Sequence, residues 1–404
     1  MKKGWQTKKL GEVCSFLNRG VSPIYVENGG IAVLNQRCVR EHVVSFEVGR
    51  RHDVKAKIVS NERLLKAGDV LVNSTGTGTL GRVAQLRESP PEPTTVDSHV
   101  TIVRPSSGLF IQDFFGYMLR DIEDELKKSG EGCGGQTELN RSVLAEKFVV
   151  RFPESLAEQQ RIVGLLDQAF AGLATAQAHA EKNHQNARAL FESHLQSVFT
   201  QRGKGWVEKP LSVLCESERV ITYGVVQLGG EVPDGVPCLR TSNVRWLRIE
   251  TEGMKRIAPK LSESYSRTIL RGQEVLVNVR GTLGGVGVAS DSMRGWNVSR
   301  EVAVAPVDSR RINPRFVALS IGAGVSQNWL GNVKKGAAYV GINIEDLRNL
   351  PVRAPSLAEQ ARIVSHLDAL SEEAQRLATL YARKLAALAA LKQSLLHQAF
   401  TGEL

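Results

Sequence analysis

The chain is written twice. Gly4-Trp5 and the run Leu10 to Cys14 return 201 residues later as Gly205-Trp206 and Leu211 to Cys215. Ser155-Leu156-Ala157-Glu158-Gln159, followed by Arg161-Ile162-Val163, returns at the same offset as Ser356-Leu357-Ala358-Glu359-Gln360 and Arg362-Ile363-Val364. Phe199-Thr200 likewise matches Phe400-Thr401. Between these anchors the likeness is weaker but keeps its order: Leu71-Val72-Asn73 pairs with Leu276-Val277-Asn278, Thr79-Leu80-Gly81 with Thr282-Leu283-Gly284, and Asn140 with Asn343. Solenoid repeats run about 20–50 residues. A period near 200 therefore says that one ancestral unit was duplicated and fused, and any fold for this chain must be buildable twice.

Each unit has two parts of different character. Residues 1–153 and 203–354 carry nearly all the Gly, Pro, Trp and β-branched residues. Short runs such as Val70-Leu71-Val72, Val100 to Val103 and Val275-Leu276-Val277 lie between turn-forming residues and read as strands. Ile111–Lys128 and Pro314–Leu330 read as helical, with Gly322 and Gly324 weakening the second. Both parts are expected to be mixed α/β (α+β) globules. Residues 154–202 and 355–404 differ: each opens on a capping box, Ser155 or Ser356 with Glu158 or Glu359 three positions on.

Steps of four and three along the first such segment give Ile162, Leu166, Ala169, Leu173, Ala176, Ala180, Asn183, Ala187 and Leu190. The second gives Ile363, Leu367, Leu370, Ala374, Leu377, Tyr381, Lys384, Leu388, Leu391 and Leu395. This is a heptad seam, interrupted at one register by Asn183 and Lys384, where a polar residue can fix pairing. A helix of about 45 residues extends roughly 65 Å. The expectation is two long helices in an antiparallel coiled coil with a pseudo-two-fold axis, separating the globules. The alternative is that each helix packs only on its own globule.

The 404 residues contain no apolar run of about 18 that could span a membrane. Five cysteines without a CxxC pair suit a reducing compartment, so the chain reads as soluble and cytoplasmic. Cys14 and Cys215 fall at matching repeat positions, which favours a shared packing site over a reactive thiol. Gly76-Thr77-Gly78-Thr79-Leu80-Gly81 fits GxGxxG, but Arg82-Val83-Ala84 continues as a strand where a dinucleotide site needs a helix. The second copy loses the spacing, and both read as glycine-rich hairpins. No GxxxxGK[ST] loop, zinc-deaminase constellation or amino-methyltransferase tetrapeptide is present, and His179 and His184 are five apart, the wrong spacing for ligands on one helix face. No catalytic group and no metal site is expected.

The net charge is +10, with 26 Lys+Arg against 23 Asp+Glu in residues 1–202 and 26 against 19 in residues 203–404. Arg37, Arg40, Arg50, Arg51, Lys55 and Lys57 cluster in the first globule; Arg240, Arg245, Arg248, Lys255, Arg256 and Lys260 cluster in the second, near Tyr223 and Trp246. Basic residues can neutralise phosphates, and Arg, Asn and Gln can read base edges. Asn35-Gln36-Arg37 and Arg240-Thr241-Ser242-Asn243 follow an apolar strand in each copy and are the favoured DNA-binding loops, with Arg40, Tyr223 and Arg245 beside them. The tips Asn73-Ser74-Thr75 and Asn278–Thr282, with Arg280, come next.

Two diverged globules, each followed by a Ser-Leu-Ala-Glu-Gln-x-Arg-Ile-Val helix, resemble the specificity (S) subunit of type I restriction–modification enzymes over the whole chain. Gly68-Asp69-Val70-Leu71-Val72, Gly272-Gln273-Glu274-Val275-Leu276 and the closing Phe400–Leu404 also look like that family. The resemblance implies that each globule is a target recognition domain for one half of a split, asymmetric site in double-stranded DNA. It implies that the helices set the gap and dock two methylation (M) subunits. S-adenosylmethionine would come with those subunits, ATP and magnesium with restriction (R) subunits, and the chain itself would bind no cofactor and catalyse nothing. Two other readings stay open: a self-sufficient DNA-modifying enzyme with an unrecognised site, and a coiled-coil adaptor that binds protein.

Overall fold

The computed structural model describes residues 4–129, 138–201, 205–334 and 341–404. They form two compact units, Met1–Ala180 with Arg383–Leu404, and Glu181–Ala382. Both long segments are continuous helices, Leu156–Thr200 and Leu357–Thr401, and each contributes to both units.

In the first unit, Trp5–Lys9 pairs antiparallel with Val149–Pro153, from Trp5 opposite Pro153 to Lys9 opposite Val149. An antiparallel sheet follows in the order Cys14–Arg19, Val100–Pro105, Val70–Asn73, Val83–Gln85. All four residues of Val70–Asn73 are buried, as a strand covered on both faces requires. The second sheet has the order Thr94–Val96, Ile31–Leu34, Arg50–His52, Tyr25–Val26, with its first pair parallel. Gly20 sits so close to this sheet that a Cβ there would lie 1.8 Å from the Val96 carbonyl oxygen; only glycine fits.

The second unit repeats this plan by itself. Val207–Pro210 pairs with Pro351–Ala354, and the antiparallel sheet runs Thr222–Tyr223, Val302–Ala305, Val275–Asn278, Val286–Val288. Its smaller sheet, Lys255–Ile257, Val236–Leu239, Asn297–Val298, again contains one parallel pair. The helical stretches expected after these sheets are each broken once. Gln112–Asp121 gives way to Glu123–Lys128 at Ile122, and Pro314–Gly322 to Gly324–Val333 at Ala323, which adopts extended backbone.

The start of each long helix is fastened to its globule by one buried side chain. Gln159 accepts from the Ile111 N–H at 2.8 Å and donates to the Leu109 and Pro153 carbonyls at 3.1 and 2.9 Å. Gln360 accepts from the Asn313 N–H at 2.9 Å and donates to the Pro355 carbonyl at 2.8 Å. Ile111 and Asn313 are the residues that open Gln112–Asp121 and Pro314–Gly322. Ser155 and Ser356 accept from the N–H of Glu158 and Glu359, the hydroxyl half of the expected capping box.

Within each unit the helices run antiparallel. In the first, Ile162 and Leu166 share a core with Leu396 and Phe400, and Lys392 lies over Phe170. In the second, Phe191 and Leu195 share a core with Leu367 and Ala374, and the His194 and His366 Nε2 atoms stand 3.1 Å apart. Ile162 and Leu166 are buried and Leu173 is half-buried; Leu367 is buried, and Ile363 and Leu377 are half-buried. The seam then departs from expectation at one register in both helices. Asn183, Leu190, Lys384 and Leu391 are exposed; the seam keeps Ala187 and the half-buried Leu388, and at the departing register the covered stripe passes through Phe191 and Leu195, or the half-buried Leu385 and the buried Leu396. A straight helix drifts about 20° per heptad against a 3.5-residue repeat. After some three heptads the buried face has moved one residue along, so the polar pair does not interrupt the seam.

Among the described residues, no helix is long and apolar enough to cross a membrane, and no group of three or more His, Cys, Asp or Glu residues is placed to hold a metal ion. Gly76–Gly81 is the turn of the Val70–Asn73/Val83–Gln85 hairpin, with Gly76, Gly78 and Gly81 at φ of 100°, 77° and 79°. Burial pushes the thiols of Cys14 and Cys215 up to about 12, as suits packed, unreactive sulfur.

Candidate nucleic-acid interface

In each unit an apolar strand with a parallel neighbour delivers the chain into a tight loop. After Ile31–Leu34, Asn35 caps the single turn Gln36–Cys38 by accepting from the Arg37 N–H at 2.8 Å. Its own N–H points to the Cys38 sulfur at 3.4 Å. After Val236–Leu239, the Arg240 N–H is taken up by Asn243 Oδ1 at 3.0 Å. Cys38 and Asn243 thus close equivalent loops with different atoms. A short hairpin follows each loop, Val39–Arg40 with Val43–Val44, and Val244–Arg245 with Arg248–Ile249.

One duplicated residue holds both loops. Asn73 Nδ2 donates to the Gln36 carbonyl at 3.0 Å. Asn278 Nδ2 lies 3.4, 2.9 and 3.1 Å from the carbonyls of Thr241, Val244 and Thr282. Both asparagines end a buried central strand, so the loop is hung from the rigid sheet.

What the loops present differs between copies. Arg37 is exposed, and its guanidinium has no partner among the described residues. Arg40 meets only the exposed Glu41, at 3.4 Å; an exposed pair of this kind contributes about 0–1 kcal/mol. Gln36 is half-buried beside Thr75, whose hydroxyl also meets His99 Nδ1 at 2.7 Å. In the second unit Ser242 is exposed and Thr241 half-buried. Arg245 and Arg248 share the single carboxylate of Glu250, at 3.2 and 2.5 Å, which leaves one uncompensated positive charge. Arg280 lies over the ring of the exposed Tyr223, 5.5 Å from its centroid.

The "Type I restriction modification DNA specificity domain" family model matches residues 2–182 and 229–382. The chain belongs to this family. It is 27% identical over 271 residues to the type I restriction enzyme EcoBI specificity subunit of Escherichia coli, an alignment covering 62% of this chain and 57% of that protein. The chain thus spans just over half the length of that relative. Its fold matches, over 100% of this chain and 99% of the other, a chain solved in work on complex assembly and conformational transition of the type I R-M system, with a TM-score of 0.78 and 20% identity. It also matches the HsdS subunit from Thermoanaerobacter tengcongensis over 100% and 98% of the two chains, with a TM-score of 0.61 and 20% identity.

Against this specificity-domain fold, the expected DNA-binding residues divide. Arg37, Arg40, Ser242, Arg245 and Tyr223 are exposed, and Gln36, Thr75, Thr241 and Arg280 are half-buried at the same edges. Arg240 is half-buried and donates to the Gly253 carbonyl at 3.2 Å. Asn73, Ser74 and Asn243 are 0%, 0% and 1% exposed, and cannot present their side chains to a duplex. Asn73 anchors a loop, Ser74 shares a 2.5 Å hydrogen bond with Thr101, and Asn243 also donates to the Glu250 and Glu252 carbonyls. Asn35 is half-buried with its amide committed to the turn. Of the basic clusters, Arg51 is bound bidentately by Glu92, and Arg256 and Lys57 donate to backbone carbonyls. Sequence reasoning did not single out Tyr25, exposed at 40% and covered by Arg50 at 3.4 Å from its ring centroid. Its signal is an aromatic near a basic run, the same signal that drew attention to Tyr223.

Proposed function

We propose that this chain is the DNA-specificity subunit of a type I restriction–modification assembly and has no catalytic centre of its own. Each globule reads one half of a bipartite, asymmetric site in double-stranded DNA. The paired helices set the gap and dock two methylation subunits, which bring S-adenosylmethionine; restriction subunits, where they join, bring ATP and magnesium. The observation that carries this reading is one framework holding two different loops. Asn73 and Asn278 hang equivalent loops from equivalent strands, yet the loops read Asn-Gln-Arg-Cys-Val-Arg and Arg-Thr-Ser-Asn-Val-Arg. A framework kept while its presented residues diverge is what two unlike half-sites demand; identical loops would suit a palindrome.

The few unpaired cations at these edges are enough for orientation on phosphates and too few for tight binding alone. That suits a reader sharing its grip with partner subunits. The test is methylation by the purified chain with and without an N6-adenine methylation subunit. Together they are expected to methylate one bipartite sequence, and the chain alone nothing. Methylation by the isolated chain, or methylation of adenines without sequence preference, contradicts the proposal.

A further inference from the structure

The duplication supplies an internal comparison at the short hairpin that follows each reading loop. In the second unit Trp246, at the turn of the short hairpin, donates Nε1–H to the Gly322 carbonyl at 2.9 Å and packs edge-on against Phe191, ring centroids 5.6 Å apart. Tryptophan and phenylalanine occupy that corner, and Trp246 also lines cavities of about 560 and 440 Å³ beside it. The equivalent positions in the first unit are Glu41, Arg120 and Lys392. There the wall of a cavity of about 620 Å³ carries Arg120 and Lys392 in place of Gly322 and Phe191.

Those two cations are poorly served. Lys392 has only an aromatic neighbour, its Nζ 5.4 Å from the Phe170 centroid, and Arg120 lies over Tyr117 and Phe170 at 5.0 and 5.5 Å. Arg120 Nε is buried and makes no hydrogen bond. Neither side chain has an ion pair among the described residues. Of the nearby acids, Asp167 accepts from the Tyr117 hydroxyl, Glu123 is bound by His42 and Lys127 at 2.7 Å each, Asp113 faces Arg87 at 3.3 Å and Glu41 meets Arg40 at 3.4 Å, while Glu88, also on the cavity wall, is exposed to solvent. Burial depresses the pKa of both cations, and Arg120 depresses that of Lys392 further. Two positive charges partly withdrawn from water and repelling one another are a liability unless an anion joins them.

We propose that Arg120 and Lys392 bind the oxyanion group, phosphate or carboxylate, of a small organic molecule. Its body would lie in the cavity against Val43, Val44, Phe46 and Pro91, which also line it. A volume of about 620 Å³ lies within the roughly 300–1,000 Å³ usual for such ligands. The guanidinium suits two oxygens of one group, while the ammonium supplies a point charge.

The probe is inorganic phosphate, titrated calorimetrically into the full chain at constant ionic strength, with acetate as the carboxylate arm. One saturable site per chain is expected that Lys392→Met weakens at least tenfold. Arg120→Gln should abolish it, and Trp246→Ala in the second unit should leave it unchanged. Lys392→Met keeps the packing on Phe170 and removes the repulsion. A base whose pKa is lowered on folding destabilises the folded state at pH below its unfolded value, so without ligand this variant should melt above wild type near pH 7. That readout stands even if Arg120→Gln fails to fold, and a residue with a merely packing role would not produce it. No saturable site for either anion, equal affinity in Lys392→Met, or a lower melting temperature for that variant overturns the proposal. So does displacement of the phosphate by short duplex DNA, which would make the corner a contact for the nucleic-acid backbone.

Discussion

Asn278→Leu is expected to destabilise the second unit by about 3 kcal/mol or more and to release its reading loop. The substitution keeps nearly the same volume but removes the donor facing the Thr241, Val244 and Thr282 carbonyls, in a side chain only 1% exposed. A buried acceptor left without a donor costs about 1–3 kcal/mol. Urea denaturation measures the loss, and amide exchange over residues 240–250 should quicken well before the core strands. In the assembled methyltransferase the same change should blur the half-site read by the second globule and leave the other half intact. Asn73→Leu should act on the first unit with a smaller cost, because Asn73 serves the single Gln36 carbonyl. Unchanged stability, or loss of both half-sites together, would contradict the anchoring role.

The second large effect lies under the first sheet. Arg104 donates Nε–H and Nη2–H to the two oxygens of Asp69, each at 2.7 Å, and reaches the Glu62 and Leu64 carbonyls as well. Asp69 is fully buried. Arg104→Met strands that carboxylate, and breaking one partner of a buried pair costs about 3–5 kcal/mol. For a unit of this size that corresponds to a fall of roughly 10 °C or more in melting temperature. Adding Asp69→Leu should restore much of it, because the penalty belongs to the unpaired charge rather than to the missing bond. If the double variant is no more stable than Arg104→Met, the loss comes from packing. The second unit solves the same problem differently: Glu274 stands in the place of Asp69, and Arg219 meets it at 3.0 Å.

These two sites show what the chain discloses by itself and what it withholds. The acid of the Gly68-Asp69-Val70 and Gly272-Gln273-Glu274 runs marks each central strand in the sequence, but its arginine comes from the strand Val100–Pro105 in one copy and from the loop before Thr222–Tyr223 in the other, and no spacing rule could find it. The long helices were legible because capping and periodicity are local. Their seam departs from the expected one at the register of Asn183 and Leu190, or Lys384 and Leu391, where a small angular drift has accumulated. The Ser-Leu-Ala-Glu-Gln signature was legible as a helix start; the task of Gln159, reaching back 48 residues to Ile111, was not. Asn73 and Asn243 looked like base readers because polar residues at strand tips favour that reading. In the fold their side chains turn inward and satisfy backbone groups of the loops that were expected to do the reading. The residues left at the surface, Arg37, Arg40, Ser242 and Arg245, are those whose side chains the framework does not need.

The central claim is that two independent readers sit on one duplicated framework. It is tested most directly by exchanging residues 1–153 for the first globule of another member of the family, coexpressing the hybrid with the methylation subunit, and mapping modified adenines by long-read sequencing. The account predicts a bipartite motif in which one half changes while the other half and the gap stay as they were. A change in both halves, or a motif without a gap, would contradict it.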